Sequence, residues 1–291
     1  MGVAVVRRFN RVVTQRVGAL SDAYMARDRS LGQARVLWEI GDGCDVRALR
    51  ARLDLDSGYL SRLLRSLEGD GLVRVEPSTA DARVRIARLT RKGAAERQVL
   101  DKRSDELAAS ILEPLSESQR ERLVAAMDDV ARLLTASMVE VAITDPRQPE
   151  AAYCVQSYFD ELRDRFDQGF DHARSISADN AELTLPAGLL LVATLHSEPV
   201  GCGALKLHGD EPAEIKRMWV SPDARGLGLG RRLLTELERE AVARGASAVR
   251  LETNRNLVEA ISLYRASGYT EVPAFNDEPY AHHWFEKSLK A

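Results

Sequence analysis

Near Ser137 the spacing of apolar residues changes, and two rhythms so different point to two cores. Before it, apolar residues recur every three or four positions, interrupted once by a pair of alternating runs. After it, short apolar or alternating runs take turns with helical stretches. A length of 291 residues leaves room for two domains of ordinary size. The expected architecture is multidomain: an α-rich unit over 1–138, then an α/β (α+β) unit over 139–291 with helices on both faces of a sheet.

In the first part, Val5, Phe9, Val12, Val13 and Leu20 predict an amphipathic helix over about 4–25, and a second helix follows over 31–40. A third runs from Asp45, placed to cap it, to Leu53. The fourth can be capped by Asp56 or Ser57. Its Leu60, Leu63, Leu64 and Leu67 form one apolar stripe, with Ser61, Arg62 and Arg65 on the opposite face, and Gly71 ends it. Val73 and Val75 alternate with Arg74 and Glu76; after the turn-rich PSTADA, Val84 and Ile86 alternate with Arg83 and Arg85, which predicts a hairpin. Thr90 can cap a long helix to about residue 112. A last helix over Ser116 to Ser137 carries Leu123, Met127, Val130 and Leu134 on one side.

Helix, turn, helix and two-stranded wing is an arrangement that reads DNA, with the second helix in a major groove and a basic wing tip at the neighbouring minor groove. Local charge agrees: residues 44–92 hold 11 basic and 7 acidic side chains, a net +4, in a chain whose net charge is -3. Arg62 and Arg65 suit guanine edges or phosphates. For any one of these arginines a solvated helix face is the alternative. The stretch DSGYLSRLLRSLEGDGLVRVEPSTADARVRIARLTRKG resembles the winged helix-turn-helix core of MarR-type regulators, through Ser61-Arg62, Gly71-Leu72-Val73, Asp81-Ala82-Arg83 and Leu89 to Gly93. The resemblance covers about 4–138. It implies DNA-facing positions at Ser57, Tyr59, Ser61, Arg62, Arg65 and Arg83, a homodimer packed through the first and last helices, and a palindromic operator in double-stranded DNA.

In the second part, a strand over Val139–Ile143 and a turn at Asp145–Pro149 precede a helix from Ala151 to about Phe170. Strands are expected over Leu189–Leu195, Pro199–Leu207, Ala213–Val220, Ala248–Glu252 and His283–Leu289. Helices are marked by Leu233, Leu234, Leu237 and Ala241, and by Val258–Ala266, which Gly268-Tyr269 ends. Between the third of these strands and its helix lies ARGLGLG, residues 224–230, followed by Arg231 and Arg232. A glycine turn that opens a helix offers backbone N–H groups to phosphate. A dinucleotide loop, GxGxxG, would need its third glycine at Arg231 or Leu233, although Glu252 stands about where the ribose-binding acid would. A Walker loop would need Gly-Lys followed by Ser or Thr. A purely structural turn explains one glycine comfortably and three poorly.

The spacing that fits is Arg225-x-x-Gly228-x-Gly230, which resembles the acetyl-CoA signature of the GNAT acetyltransferases. EIKRMWVSPDARGLGLGRRLL is similar to that family's strand, pyrophosphate loop and helix, and LETNRNLVEAISLYRASGY to its next strand and helix. The resemblance covers about 139–291. It implies acetyl-CoA as acetyl donor, held by Met218, Trp219 and Val220, by Arg225, Gly226, Leu227, Gly228, Leu229, Gly230 and Arg231, and by Asn256. The chain departs from the pattern at Leu257, where the family often has asparagine; Asn256 lies one position off.

Acetyl transfer to an amine needs a neutral amine, a held oxyanion and a protonated leaving thiolate. Glu214, on the strand before the loop, is the expected base; a salt bridge with Lys216 or Arg217 is its alternative role. Tyr264, from its place in the family pattern, is the expected acid, with a packed helix tyrosine as the alternative. FNDEPYAHHWFEK resembles the tail of a GNAT subgroup and puts Asn276, Tyr280 and His283 beside a small-molecule or protein amine acceptor, with Trp284 and Phe285 in the core. His282 and His283 are adjacent on a strand and face opposite ways, so no metal site is expected. Cys44, Cys154 and Cys202 show no CxxC pairing and read as reduced thiols. There is no signal-peptide core. The longest apolar run, Ala187 to Leu195, is far short of the ~20 residues of a membrane helix. The expectation is a cytoplasmic protein with no membrane partner. It is expected to be a DNA-binding regulator that also acetylates an amine; the alternatives are a regulator whose second domain is a ligand sensor that biases the DNA-binding dimer, and an enzyme whose first half serves only for dimerisation.

Overall fold

α1 spans Val3–Arg16 in the computed structural model, which describes residues 2–19, 25, 29–176, 178–209 and 211–289. It stops short of the expected 4–25; most of the remainder, including Leu20, lies outside the described residues. The next helices begin at side chains that satisfy their free backbone donors. Ser30 and Gln33 form a reciprocal capping box at α2 (Leu31–Ile40). After the two-residue strand β1 (Cys44–Asp45), Asp45 accepts from the N–H groups of Arg47 and Ala48 and starts α3 (Val46–Leu53). Asp56, not Ser57, caps α4 (Ser57–Gly69) by accepting from the Tyr59 N–H at 2.8 Å. The wing is β2 (Val73–Pro77) and β3 (Arg85–Leu89), paired antiparallel, with β1 on the outer side of β3. Val84 falls in the turn. Thr90 caps α5 (Arg91–Leu112), and α6 covers Glu117–Ser137. Leu60, Leu63, Leu64 and Leu67 are all buried, packed with Leu37, Leu49, Leu72 and Leu100. Each fully buried leucine contributes roughly 1.5–3 kcal/mol.

The chain divides into two compact units, Met1–Met127 and Asp128–Ala291. The second is built on a seven-stranded sheet of order β4-β5-β6-β7-β8-β10-β9. β4 (Glu140–Ile143) lies on one edge, then α7 (Pro149–Arg165) follows in the chain. β5 (Gly188–Leu195), β6 (Glu198–Lys206) and β7 (Ala213–Val220) form an antiparallel meander. α8 (Leu229–Ala243) leads to β8 (Ala248–Thr253), and α9 (Val258–Ala266) to β9 (Thr270–Val272) and β10 (His283–Ser288). α7 ends at Arg165 rather than near 170, because Phe166 is already extended.

β5 shows why the sheet is covered on both faces. Leu189, Leu191 and Ala193 share a core with Leu233, Leu234 and Leu237 of α8, whereas Leu190 and Val192 pack with Ala151 and Cys154 of α7. The period of two buries both sets, so the strand reads as a continuous apolar run. Phe285 is fully buried on the α8 side, as expected. Trp284 is only half-buried, its indole N–H donating to Asn276 Oδ1 at 2.9 Å.

Candidate functional site

The site of the second unit begins with a failure of two strands to stay paired. β7 and β8 run parallel but are in register only at Ala213↔Val249 and Glu214↔Arg250. Beyond that rung, β7 carries an irregularity opposite Cys202–Ala204, with Arg217 at φ +54°. The strands separate, and their facing edges carry no ladder bonds between them. Unpaired strand edges of this kind can hydrogen-bond an extended amide-bearing ligand.

A cleft of about 560 Å³ lies beside the separated strands and reaches the N-terminus of α8. Gly226 (φ +82°) and Gly228 (φ +76°) hold left-handed backbone that a side chain would strain, and Gly228 is the N-cap of α8. No side chain caps this helix, so its first N–H groups and its positive dipole end face the cleft. This is the geometry that holds a pyrophosphate. Arg225 donates to Val220 O (3.2 Å) and to Glu161 Oε2 on α7 (2.6 Å), which fixes the start of the loop. Met218, Trp219, Val220, Arg225, Gly226, Gly228, Leu229, Gly230 and Arg231 all line this cleft. Leu227 is instead packed against the core. Asn256 is turned away: its amide donates to Arg165 O (2.8 Å) and Asp167 Oδ1 (3.1 Å) and ties down the end of α7. Leu257 lines the cleft where an asparagine was the expected contact.

A second chamber opens from the first. Tyr158, Leu162, Met218, Leu257, Ala260 and Tyr264 line both, so the two spaces meet at Tyr264. Tyr264 is 5% exposed, and burial together with the Glu252 carboxylate pushes its phenol up, so it stays protonated. Glu252 also lines the chamber. Its Oε1 accepts from Lys216 Nζ, while its buried Oε2 has no hydrogen-bond partner among the described residues. Burial raises the Glu252 carboxyl, and the adjacent Lys216 partly offsets this. A buried carboxylate with one free oxygen and a raised affinity for protons is equipped as a general base. In the sequence, Glu252 is connected only with a ribose contact. The signal that would have found it is its place twelve residues before Tyr264 on the next strand.

Glu214, the expected base, does not reach either space. It sits on the last paired rung of β7 and β8, within 3.3 Å of Arg250, 3.5 Å of His208 and 3.7 Å of Lys216. Of the expected acceptor residues, Tyr280 lines the chamber, and its hydroxyl accepts from the Asp171 N–H at 3.0 Å. Asn276 is engaged with Trp284, and His283 turns its Nδ1 to Glu271 Oε1 at 2.6 Å, away from the chamber. The remaining wall comes from a segment without a motif, through Phe159, Phe166, Phe170 and Ile176, joined by Glu278. No group of His, Cys, Asp or Glu among the described residues could hold a metal ion.

In the first unit, Ser57, Tyr59, Ser61, Arg62 and Arg65 share the exposed face of α4. Arg62 lies over the Tyr59 ring at 5.7 Å, and Arg65 Nε donates to Ser61 O. Arg83, at the wing tip, makes two bonds of 3.1 Å to Asp81 and holds that carboxyl below its usual range. The Asp-x-Arg element thus presents a fixed guanidinium at the turn. No helix among the described residues is long and apolar enough to cross a membrane.

Comparison with known proteins matches residues 155–269 to the acetyltransferase (GNAT) family and residues 28–84 to the MarR family. A curated relative from Azospirillum brasilense, named IAA acetyltransferase, is 34% identical over 143 residues, covering 49% of this chain and 90% of the relative. Among solved structures, a GNAT-family acetyltransferase from Staphylococcus aureus Mu50 aligns at 16% identity and TM-score 0.45, over 52% of this chain and 99% of its own. Wild-type MarR from Escherichia coli, in the apo form, aligns at 24% identity and TM-score 0.39, over 43% of this chain and 94% of its own.

Proposed function

The chain belongs to the GNAT acetyltransferase family through its second half and carries a MarR-family segment in its first; on that footing we propose that it is a cytoplasmic, homodimeric DNA-binding regulator that also transfers acetyl from acetyl-CoA to an amine. The winged helix-turn-helix work falls to 1–138 and the transfer to 139–291. The observation that carries the enzymatic reading is the junction at Tyr264: a cleft ending on an uncapped helix N-terminus meets a chamber holding the free oxygen of Glu252.

When bound, acetyl-CoA supplies the acetyl group as a thioester and a thiolate as leaving group. The N-terminus of α8 and Arg231 hold its pyrophosphate, and the open edge of β7 aligns its amide arm. Glu252 takes a proton from the acceptor ammonium, so that the neutral nitrogen attacks the carbonyl carbon. A backbone N–H at the open end of β7 receives the charge that develops on the carbonyl oxygen. Tyr264 gives its proton to the departing sulfur as the C–S bond breaks, and the second proton that the nitrogen sheds on becoming an amide restores the phenol. Glu252, not Glu214, fills the role of base in this reading, because only Glu252 opens onto the chamber. The aromatic wall of Phe159, Phe166, Phe170 and Tyr280 favours an acceptor with an apolar body.

The direct test is a screen of primary amines, peptides and IAA against acetyl-CoA, reading released thiol. Turnover of an amine with loss of thiol release in Glu252→Gln supports the reading; thiol release no faster than in buffer across the panel overturns it. Gly228→Ala forces a side chain into left-handed backbone, a cost of roughly 1–2 kcal/mol. It should weaken acetyl-CoA binding about tenfold by calorimetry, with little effect on the DNA-binding half.

The basic face of α4 and the wing arginine carry the DNA reading. Arg62→Ala should cost on the order of 1–3 kcal/mol of operator affinity, roughly 10- to 100-fold, and relax base preference at one position. Binding assays on promoter fragments check it, with an unchanged far-ultraviolet spectrum as control. The dimer is supported by apolar side chains left exposed on α1 and α6, among them Val5 at 56%, Val12 at 58% and Leu134 at 56%. Val12→Asp combined with Leu134→Asp should halve the mass seen by light scattering and abolish binding to a two-half-site operator.

A further inference from the structure

The catalytic reading leaves Glu214 unused, yet it is a buried carboxylate inside a closed charge network. The side chains of Glu214, Lys216 and Glu252 are only 8%, 9% and 8% exposed. Lys216 Nζ lies between the two carboxylates, in contact with Glu252 Oε1 and 3.7 Å from Glu214 Oε2. Arg250 and His208 face Glu214 from its other side, at 3.3 and 3.5 Å. A lysine shared by two acids in low dielectric cannot serve both fully. We propose that Glu214 is a positioning residue: it competes with Glu252 for the Lys216 ammonium and so decides how much of that charge the base receives. The inference rests on Glu252 being the base of the proposed transfer.

The consequence has a definite sign. The groups facing Glu252 are Lys216 and Glu214 from β7, Glu278 from the segment before β10, Tyr264 from α9 and Tyr158 from α7, with Arg250 two residues away on its own strand. Burial raises its carboxyl most; Lys216 opposes that rise, and Glu214 and Glu278 add to it. Removing the Glu214 charge releases Lys216 toward Glu252, so the base ionises at lower pH. Removing the Lys216 charge does the reverse. Arg250 keeps part of Glu214 occupied, which prevents the two acids from cancelling Lys216 outright.

The test follows the Glu252 carboxyl itself and needs no acceptor. In the full chain carrying carboxyl-labelled glutamate, the Glu252 carbon signal is assigned by its absence in Glu252→Gln and titrated against pH. Glu214→Gln should lower the midpoint by about one pH unit, Lys216→Met should raise it by about one or more, and Glu214→Asp should return it near the wild-type value. A midpoint that stays put or rises in Glu214→Gln overturns the proposal, as does a fall in Lys216→Met; backbone spectra matching the wild type establish that each variant is folded. The acid limb of the rate profile gives the separate reading. If the carboxyl midpoints move as expected but thiol release is indifferent to Glu252→Gln, the coupling stands and the assignment of the base fails.

Discussion

Tyr264→Phe should lower kcat for amine acetylation by roughly 10²- to 10⁴-fold, the usual contribution of one positioned proton donor. The KM for acetyl-CoA should stay within a few-fold, because the ring remains to line the cleft and only the hydroxyl is lost. The phenol is buried and raised, so it holds its proton throughout the neutral range and is present to meet the developing thiolate. A leaving thiolate with no donor would have to take its proton from water, which the apolar junction of Leu162, Leu257 and Ala260 keeps away. Steady-state rates read as released thiol decide it. An unchanged kcat would return Tyr264 to a packing role and leave protonation of the thiolate to another donor. The packing role is a real competitor, since the ring lies 5.9 Å from that of Tyr269 and 6.0 Å from that of Phe285.

Glu252→Gln should be comparably severe, about 10²- to 10⁴-fold in kcat/KM near neutral pH, and it should also change the shape of the pH profile. The sign is set by the raised carboxyl. Glu252 works as a base only when ionised, so wild-type activity falls as pH drops through a value above the usual carboxylate range. Glutamine cannot titrate, so that limb should vanish. The residual rate should then rise with pH as the acceptor amine loses its own proton to water. Rates for both forms between pH 5 and 10 test this. An acid limb that persists unchanged in Glu252→Gln would mean another group controls it. The contrast with Glu214→Gln is informative: that change should shift the limb toward acid without removing it.

Much of the first unit was legible because its signals are local. Asp45, Asp56 and Thr90 cap helices within three residues of themselves, and the leucine stripe of α4 needs only the helical period to become a buried face. The ARGLGLG loop was equally readable, since left-handed backbone at Gly226 and Gly228 and an uncapped helix start are properties of a few consecutive residues. The failures share a cause. Glu214 and Glu252 each alternate with basic and apolar neighbours on a strand, and nothing within either strand says which one meets the acceptor. His283 and Asn276 likewise sit in a suggestive segment but spend their polar atoms on Glu271 and Trp284.

By itself, then, the sequence determined two cores, their order, the exposed basic face of α4 and the left-handed glycine loop that opens α8, because these depend on periodicity and on backbone conformations that few residues accept. Only the tertiary structure decided which carboxylate opens onto the chamber. β7 and β8 stay in register through Glu214↔Arg250 and part immediately beyond it, so a carboxylate on that rung is held among charges while one two residues farther on opens into the chamber. Where two strands separate depends on a bulge in one and on the partners of both, including pairs as distant along the chain as Glu214↔Arg250, and no local pattern encodes it.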